Sequence, residues 1–205
     1  MRIDLAELAD PEHTAIVTQE CQGAVMGPNA GLAALAAEAR REALPNIERL
    51  LPTARRAGVK VVHCLVQRRP DGLGANNNAK IFAMGGDVSI TPGTPGAELL
   101  PELGPAPTDL VLRRWHGIGP MGGTDLDAVL RNLGVSTVVA VGVSVNLAIT
   151  NLCMDAVNKA YRVVVPRDAV AGIPTDYANT IIDNMLSLLA SITTTDELLD
   201  IWKRT

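Results

Sequence analysis

The residues best suited to chemistry stand where three predicted strands end. Glu20 follows the apolar run TAIVTQ, and Arg113 and Arg114 close the run LVLRR. A glycine-led turn before Ala148 follows a third run, TVVAV. A carboxyl group can exchange a proton with a substrate, and a guanidinium can bind a carboxylate through two parallel hydrogen bonds. Because ligands bind at the carboxyl ends of strands in an open parallel sheet, we expect a site there.

The clearest structural pattern is the segment 136–172. Thr137–Val141 predicts a strand buried on both faces, and Tyr161–Val165 predicts a second strand. Between them, apolar residues recur every three or four positions, which predicts a helix. The segment therefore predicts a parallel β-α-β unit with a right-handed crossover. Backbone N–H groups converge at its 142–146 turn, where the helix dipole favours a negative ligand.

The rest of the chain alternates predicted strands and helices. Further strands are predicted at 14–19, 59–67, 110–113 and 191–193, and helices at 31–58, 126–133, 175–190 and 196–203. Pro45 is predicted to open a second helix or kink the first, and Thr195 to cap the last. The stretch 68–107 is rich in Gly, Pro and Asn, which is typical of a functional loop. The order predicts a doubly wound α/β fold, a three-layer sandwich around a mainly parallel six-stranded sheet.

Composition narrows the class of protein. The 205 residues are 47% hydrophobic and 20% charged, with a net charge of -4, which predicts a single domain over 1–205. There is no basic stripe that would indicate a nucleic-acid partner, and no apolar run of membrane-spanning length. The acidic N-terminal stretch is unlike a signal peptide. We therefore expect a soluble, cytoplasmic protein whose three cysteines are reduced.

Common cofactor signatures are absent from the sequence. It contains neither G-x-G-x-x-G nor G-x-x-x-x-G-K-[ST], and no G-x-S-x-G. His13, His63 and His116 are too far apart to show the spacing of metal ligands. No cofactor and no metal are expected.

Three segments together resemble the isochorismatase-like cysteine hydrolase superfamily. They are TAIVTQECQ, the segment from LVLRRWHG to VGVSVN, and MDAVNKAYRVVVPRDAVAG, and the resemblance extends over nearly the whole chain from about Thr14. It implies an isochorismatase-like hydrolase that acts on a small molecule. It also implies assembly as a homodimer or a larger homo-oligomer.

The resemblance places an Asp-Lys-Cys triad on residues that differ from it. The Asp falls on Glu20, the Lys falls on Arg113, or on Arg114 if the register shifts by one, and the Cys falls on Ala148. A methyl group cannot attack a carbonyl carbon. The covalent thiol mechanism is therefore not expected at that position.

The three cysteines offer poor substitutes for that thiol. Cys153 lies five residues further along the predicted helix than Ala148, about 140° around its axis. Cys21 alternates to the opposite face of the strand from Glu20, and Cys64 lies inside a strand. We interpret all three as small buried side chains.

Hydrolysis without a thiol remains chemically possible. The true isochorismatases resemble this chain in having no such cysteine, and they hydrolyse a vinyl ether, which needs a proton donor and water. Glu20 in an apolar pocket is the predicted general acid, and Arg113 the anchor for a substrate carboxylate. A tight Arg–Glu20 pair would abolish acid catalysis, and such a pair can also be purely structural.

Seven further residues are predicted to bind the substrate. Trp115 is the candidate pocket aromatic, His116 could serve as acid or base, and Ser144 or Asn146 could cap the helix. The resemblance implies a cis peptide at Val143-Ser144. The full set is Gln22, Arg114, Trp115, His116, Val143, Ser144 and Asn146.

Three functions follow from these residues. The first is a hydrolase of a small carboxylated substrate without a covalent step, with Glu20 as acid. The second is a catalytically degenerate relative that binds a small molecule or serves as a scaffold. The third is an amidohydrolase with a displaced cysteine, which the spacing argues against.

Overall fold

A parallel sheet forms the centre of the protein. The structure is a computed structural model that describes residues 4–84 and 89–204. Within these ranges seven strands pair in parallel, in the order β3-β2-β1-β4-β5-β7 with β6 beside β4. Their bounds are β1 Thr14–Gln19, β2 Lys60–Val66, β3 Leu110–Arg114, β4 Thr137–Val143, β5 Arg162–Pro166, β6 Val170–Ala171 and β7 Ser191–Thr193.

Helices cover both faces of this sheet, as the sequence predicts. They are α1 Leu5–Leu8, α2 Gly23–Met26, α3 Ala33–Glu38, α4 Leu44–Ala57, α5 Leu126–Asn132, α6 Thr150–Asn158, α7 Thr175–Ile181, α8 Ser187–Leu189 and α9 Thr195–Trp202. Ile16 of β1 packs in the same apolar cluster as α4 and α9, whereas its neighbour Val17 packs with α5 and α6. Alternate side chains of one strand therefore fill two cores, and the predicted three-layer α/β/α fold is confirmed.

The predicted sheet of six strands contains one strand too few. The missing strand, β6, is only two residues long and pairs Gly142 with Val170 and Val143 with Ala171. Two residues carry no periodicity that a sequence pattern could reveal. The pairing depends instead on the position of β4.

Helix ends follow local chemistry. A π-helical turn at Ala39–Ala43 joins α3 to α4 without a break in the helical backbone, and Pro45 lies in the first turn of α4, directly after it. The predicted second helix therefore begins near Pro45, but it continues directly from the turn before it. The predicted cap at Thr195 is wrong, because the preceding Thr194 accepts from the Glu197 N–H and forms a capping box with that residue.

The strand order determines where a ligand can bind. The chain adds β2 and β3 on one side of β1 and adds β4 and β5 on the other. The switch point of this doubly wound sheet therefore lies at the carboxyl ends of β1 and β4, where a crevice forms. Residue 20 and the 144–148 turn follow these two strands directly.

The segment 68–107 is largely irregular, as predicted. It contains short 3₁₀ turns at Lys80–Ala83 and Pro101–Leu103, and residues 85–88 of the predicted loop lie outside the described residues. None of the helices described is both long and apolar enough to cross a membrane.

Candidate active site

A cavity of about 470 Å³ opens at the carboxyl edge of the sheet. Glu20, Arg114, Ser144 and Ala148 all contribute to its wall, so the ends of β1, β3 and β4 meet there. Residues within 68–83 and 89–91 supply much of the remaining wall. The three strand ends predicted to share a site are thus brought together.

Glu20 has an unusual backbone conformation. Its φ of 52° is left-handed, which a side chain with a Cβ rarely adopts and which costs about 1 kcal/mol or more. Hydrogen bonds hold it there, because the Glu20 N–H donates to the Cys64 carbonyl at 2.9 Å and the Gln22 N–H donates to the Glu20 carbonyl at 2.8 Å. This turn directs the carboxylate out of the β1 strand and toward Arg114.

Arg114 is the buried partner of Glu20. Its Nη2 group donates to Glu20 Oε1 and to the Ile118 carbonyl, the latter at 2.9 Å. Its side chain is 4% exposed, and Nε and Nη1 have no hydrogen-bond partner among the described residues. The pair is therefore a contact through one guanidinium nitrogen and not the bidentate fork of an ideal Arg–carboxylate pair.

Of the two arginines that could stand at the triad position, Arg114 and not Arg113 contacts Glu20. Arg113 donates to Glu98 at 2.7 Å on the surface, with its side chain 38% exposed. Strand β3 continues through Arg114, and consecutive side chains of a strand point to opposite faces. The strand is thus one residue longer than predicted, and its last side chain, that of Arg114, points toward Glu20. The sequence left this alternative open.

The turn after β4 has the predicted cis peptide at Val143-Ser144. Ser144 occupies the N-cap position of a π-helical turn at Val145–Ile149, but its side chain makes no capping hydrogen bond. Its carbonyl accepts from the Leu147 and Ile149 N–H groups at 3.2 and 3.0 Å. Ser144 and Ala148 both line the cavity, and Ala148 presents only a methyl group to it.

Three residues predicted to bind the substrate do not line the cavity. Val143 is fully buried in the sheet. The Gln22 amide is saturated by backbone, since it donates to Val66 and Gly96 and accepts from the Val66 N–H. The third of these residues is Asn146, which also makes contacts with backbone.

Asn146 holds two segments of backbone together. Its side chain accepts from the Ile173 N–H at 3.1 Å and donates to the Ile173 carbonyl at 2.8 Å. The oxygen and the nitrogen of the Asn146 side chain both bind the Ile173 backbone in this contact. They therefore do not cap the helix. Asn146 therefore anchors the turn after β4 to the segment that follows β6.

The mouth of the cavity is lined by exposed side chains. Trp115 and His116 both lie on its wall, as predicted, and Trp115 is 46% exposed. Asn76 ties the irregular loop to this side, because its Oδ1 atom accepts from the Gly117 N–H at 2.7 Å. The sequence predicts that the loop is functional but does not identify its individual lining residues, among them Arg68, Asn76, Phe82 and Thr91.

The native thiols are poorly placed for catalysis. Cys21, Cys64 and Cys153 are all free and buried. None of them is among the described residues that line the cavity of about 470 Å³. Burial raises the pKa of each thiol to about 12. At neutral pH the nucleophilic thiolate form is therefore scarce.

The described residues contain no group of three or more His, Cys, Asp or Glu side chains that could hold a metal ion. The chemical groups in the cavity are a carboxylate, guanidinium groups, one imidazole and amide and hydroxyl groups. These groups can transfer a proton and bind an anion.

The comparison with protein families is decisive for classification. Residues 14–197 match the family model described as Isochorismatase domain. The chain belongs to the isochorismatase family. It is accordingly an isochorismatase-family hydrolase, and the matched region contains every strand described above.

Relatives of this isochorismatase-family protein include named enzymes. It is 27% identical over 183 residues to ureidoacrylate amidohydrolase RutB of Rhizobium rhizogenes, covering 82% of this chain and 74% of that protein. It is 27% identical over 114 residues to the uncharacterized isochorismatase family protein YecD of Escherichia coli O157:H7, covering 51% of this chain and 59% of YecD.

Solved structures share the fold. A cysteine hydrolase from Pseudomonas syringae superposes with a TM-score of 0.82 at 22% identity, covering 95% of this chain and 94% of the other. N-carbamoylsarcosine amidase from Thermoplasma acidophilum superposes with a TM-score of 0.74 at 26% identity, covering 90% and 97%.

Proposed function

We propose that this isochorismatase-family hydrolase acts on a small carboxylated substrate without a covalent thiol step, and that Glu20 transfers the proton. The observation that carries the proposal is the common cavity of Glu20, Arg114 and Ala148. Ala148 stands where the family resemblance places a nucleophilic cysteine. A water molecule must then attack the substrate directly, and the proton-transfer group becomes the main catalytic residue.

Glu20 is suited to that role by its contacts. Arg114 engages Oε1, whereas Oε2 forms no hydrogen bond with a described residue. The Glu20 side chain is 17% exposed, so it is both partly desolvated and in reach of a ligand in the cavity. Arg114 therefore orients the carboxyl group and leaves one oxygen for the substrate.

In the first form of the reaction the substrate is a vinyl ether. Glu20 gives its proton to the terminal carbon, and water attacks the resulting oxocarbenium carbon and returns a proton to Glu20. The hemiketal then breaks its C–O bond and releases a ketone and an alcohol. This form requires that Glu20 be protonated when the substrate is bound.

A second form is favoured by the ion pair itself. A carboxylate held by a guanidinium is a proton acceptor, and it could take a proton from water as that water attacks an amide carbonyl. It would then give this proton to the leaving nitrogen as the C–N bond breaks, which releases an acid and an amine. RutB and N-carbamoylsarcosine amidase, to which the chain is similar, are named as amide hydrolases. The two forms use one residue in opposite protonation states.

Turnover at several pH values tests the proposal. We would follow the consumption of isochorismate and of ureidoacrylate by wild-type protein and by Glu20→Gln. With Glu20 as acid, the rate on isochorismate falls as pH rises. With Glu20 as base, the rate on ureidoacrylate falls as pH decreases. In either case iodoacetamide leaves the rate unchanged, and Glu20→Gln lowers it by about 10²-fold or more.

Two results would contradict the proposal. Inactivation by iodoacetamide would support a thiol-dependent amidohydrolase instead. Equal rates for wild-type protein and Glu20→Gln, no faster than the uncatalysed reaction, would support a binding or scaffold protein. Assembly into homo-oligomers, a cytoplasmic location and a single domain over 1–205 stay predictions.

A further inference from the structure

The arginines on the cavity wall differ in whether a carboxylate of the protein already pairs with them. Arg114 contacts Glu20, and Arg69 binds Asp71 through two hydrogen bonds of 2.9 and 2.6 Å. Arg68 forms no ion pair with any residue that the structure describes. One guanidinium on the wall thus keeps its charge available to a ligand.

The few contacts of Arg68 fix its backbone more than its side chain. Its N–H donates to the Ile90 carbonyl at 3.1 Å, which ties the start of the loop in place. The one hydrogen bond of its guanidinium reaches the Phe82 carbonyl at 3.4 Å, close to the limit for such a bond. A carboxylate would be a stronger partner than this carbonyl, because both groups would then be charged.

Arg68 lines the same cavity as Arg114. Val66 of β2 is the direct partner of Arg114 in β3, and the Gln67 N–H extends this ladder by donating to the Arg114 carbonyl at 2.8 Å. Arg68 follows just beyond this pairing, after the end of β2 at Val66, and lines the same cavity as Glu20 and Arg114.

The charge of the cavity favours an anion. Among the described residues, its lining includes the guanidinium groups of Arg68, Arg69 and Arg114 but only one carboxylate, Glu20, within a chain of net charge -4. A concentration of positive charge in a cleft of an acidic protein attracts and orients negatively charged ligands. Since two of these arginines are already paired, the available positive charge is concentrated at Arg68.

We propose that Arg68 recognises the carboxylate of the substrate and so determines specificity for an anion. Phe82 and Trp115 line the same cavity, so the ligand class is a small carboxylate with a flat, apolar body. This inference rests on the proposed function only for the position of the substrate. It differs from the sequence-based prediction, which assigned the carboxylate to the arginines that close β3.

Two ligands of similar shape, one charged and one neutral, show how much the negative charge of the ligand contributes to binding. 2-Naphthoate and 2-naphthamide have nearly the same shape, but only the first is an anion. Their dissociation constants would be measured by titration calorimetry at low ionic strength for wild-type protein, Arg68→Gln and Arg69→Gln. Arg69→Gln is the control, because Arg69 is adjacent, lines the same cavity and is already paired with Asp71.

We expect wild-type protein to bind 2-naphthoate about tenfold more tightly than 2-naphthamide. Arg68→Gln should lose that preference without weaker binding of 2-naphthamide, and Arg69→Gln should keep it within about twofold. The proposal is overturned if Arg68→Gln retains the preference, or if wild-type protein has none, including the case in which it binds neither ligand. The calorimetric titration measures binding and does not require turnover. If the protein proves to be inactive but its preference for the anion depends on Arg68, the proposed function is refuted and the role of Arg68 is not.

Discussion

Arg114 Nη2 donates to Glu20 Oε1 although β2 lies between the strands that carry these residues. The contact is possible because Glu20 leaves β1 with a φ of 52° and because β3 extends through Arg114. The ion pair and the methyl group of Ala148 share one cavity. This arrangement retains a group that can transfer a proton, and at position 148 it presents a methyl group to the cavity in place of a thiol.

Removal of the buried arginine should destabilise the protein far more than removal of its neighbour. Arg114→Met leaves the carboxylate of Glu20 without its partner, and we expect a loss of about 3 kcal/mol in the free energy of unfolding. Arg113→Met removes an exposed pair with Glu98 and should cost less than about 1 kcal/mol. Urea unfolding of both variants measures the difference, and equal losses would contradict the geometry.

A thiol introduced at Ala148 should react in the folded protein. Burial raises the pKa of the three native thiols to about 12, so only about 10⁻⁴ of each is thiolate at pH 8. Ala148→Cys places a fourth thiol on the cavity wall. Mass spectrometry after brief treatment with iodoacetamide should detect one adduct in this variant and none in wild-type protein.

Protein unfolded in guanidinium chloride provides the control for this labelling. There every thiol should be alkylated in both proteins. Rapid labelling of folded wild-type protein would show that a native cysteine is accessible, against the burial described here.

A buried histidine should make stability depend on pH. His63 Nε2 donates to Asp109 Oδ2 at 3.2 Å, and Thr18 Oγ1 donates to His63 Nδ1 at 2.8 Å. Burial lowers the pKa of His63 below its ordinary 6.5, although hydrogen bonding to Asp109 opposes this shift. The unfolded chain therefore binds a proton that the folded protein does not, and stability falls as pH decreases from about 6.5 toward the lower pKa of the folded state.

His63→Gln tests this linkage, because glutamine can form hydrogen bonds but does not titrate. Between pH 7 and 5 the free energy of unfolding of this variant should change less with pH than that of wild-type protein. The difference in slope should not exceed about 1.4 kcal/mol per pH unit, the value for one proton. His116→Gln, at an exposed position, should retain the wild-type slope.

The contact of Asn146 with the segment after β6 should make Gly172 intolerant of a side chain. A Cβ at Gly172 would lie 2.2 Å from Asn146 Oδ1 and 3.0 Å from the Ala178 Cβ. Gly172→Ala should therefore cost about 2 kcal/mol of stability through overpacking and lost hydrogen bonds. Gly122→Ala, where the nearest atom is 4.0 Å away, should change stability by less than about 0.5 kcal/mol.

A double variant separates the clash with Asn146 from the clash with Ala178. If the clash is mainly with the Asn146 side chain, Gly172→Ala should cost less in an Asn146→Ala background than in wild-type protein. Additive losses would mean that the clash lies elsewhere, for example with Ala178. Urea unfolding of the four proteins completes the cycle.

Much of the fold was predictable from local patterns. Strands β1 and β7 have the predicted bounds, and both contain β-branched residues, whose preference for strands is a property of the segment itself. The predicted sheet lacked only β6, whose pairing depends on a neighbouring strand. The site could be predicted only as a place, at the carboxyl ends of the strands that meet at the switch point.

The sequence by itself determined the fold class, the edge of the sheet that carries the site, and the presence of Glu20 and Ala148 there. Only the tertiary structure decided that Arg114 and not Arg113 meets Glu20. It also decided that the amides of Gln22 and Asn146 bind backbone, and that the loop brings Arg68 to the cavity. The physical reason is that apolar periodicity is encoded locally. The direction and partner of a polar side chain depend instead on strand ends and on segments distant in the chain.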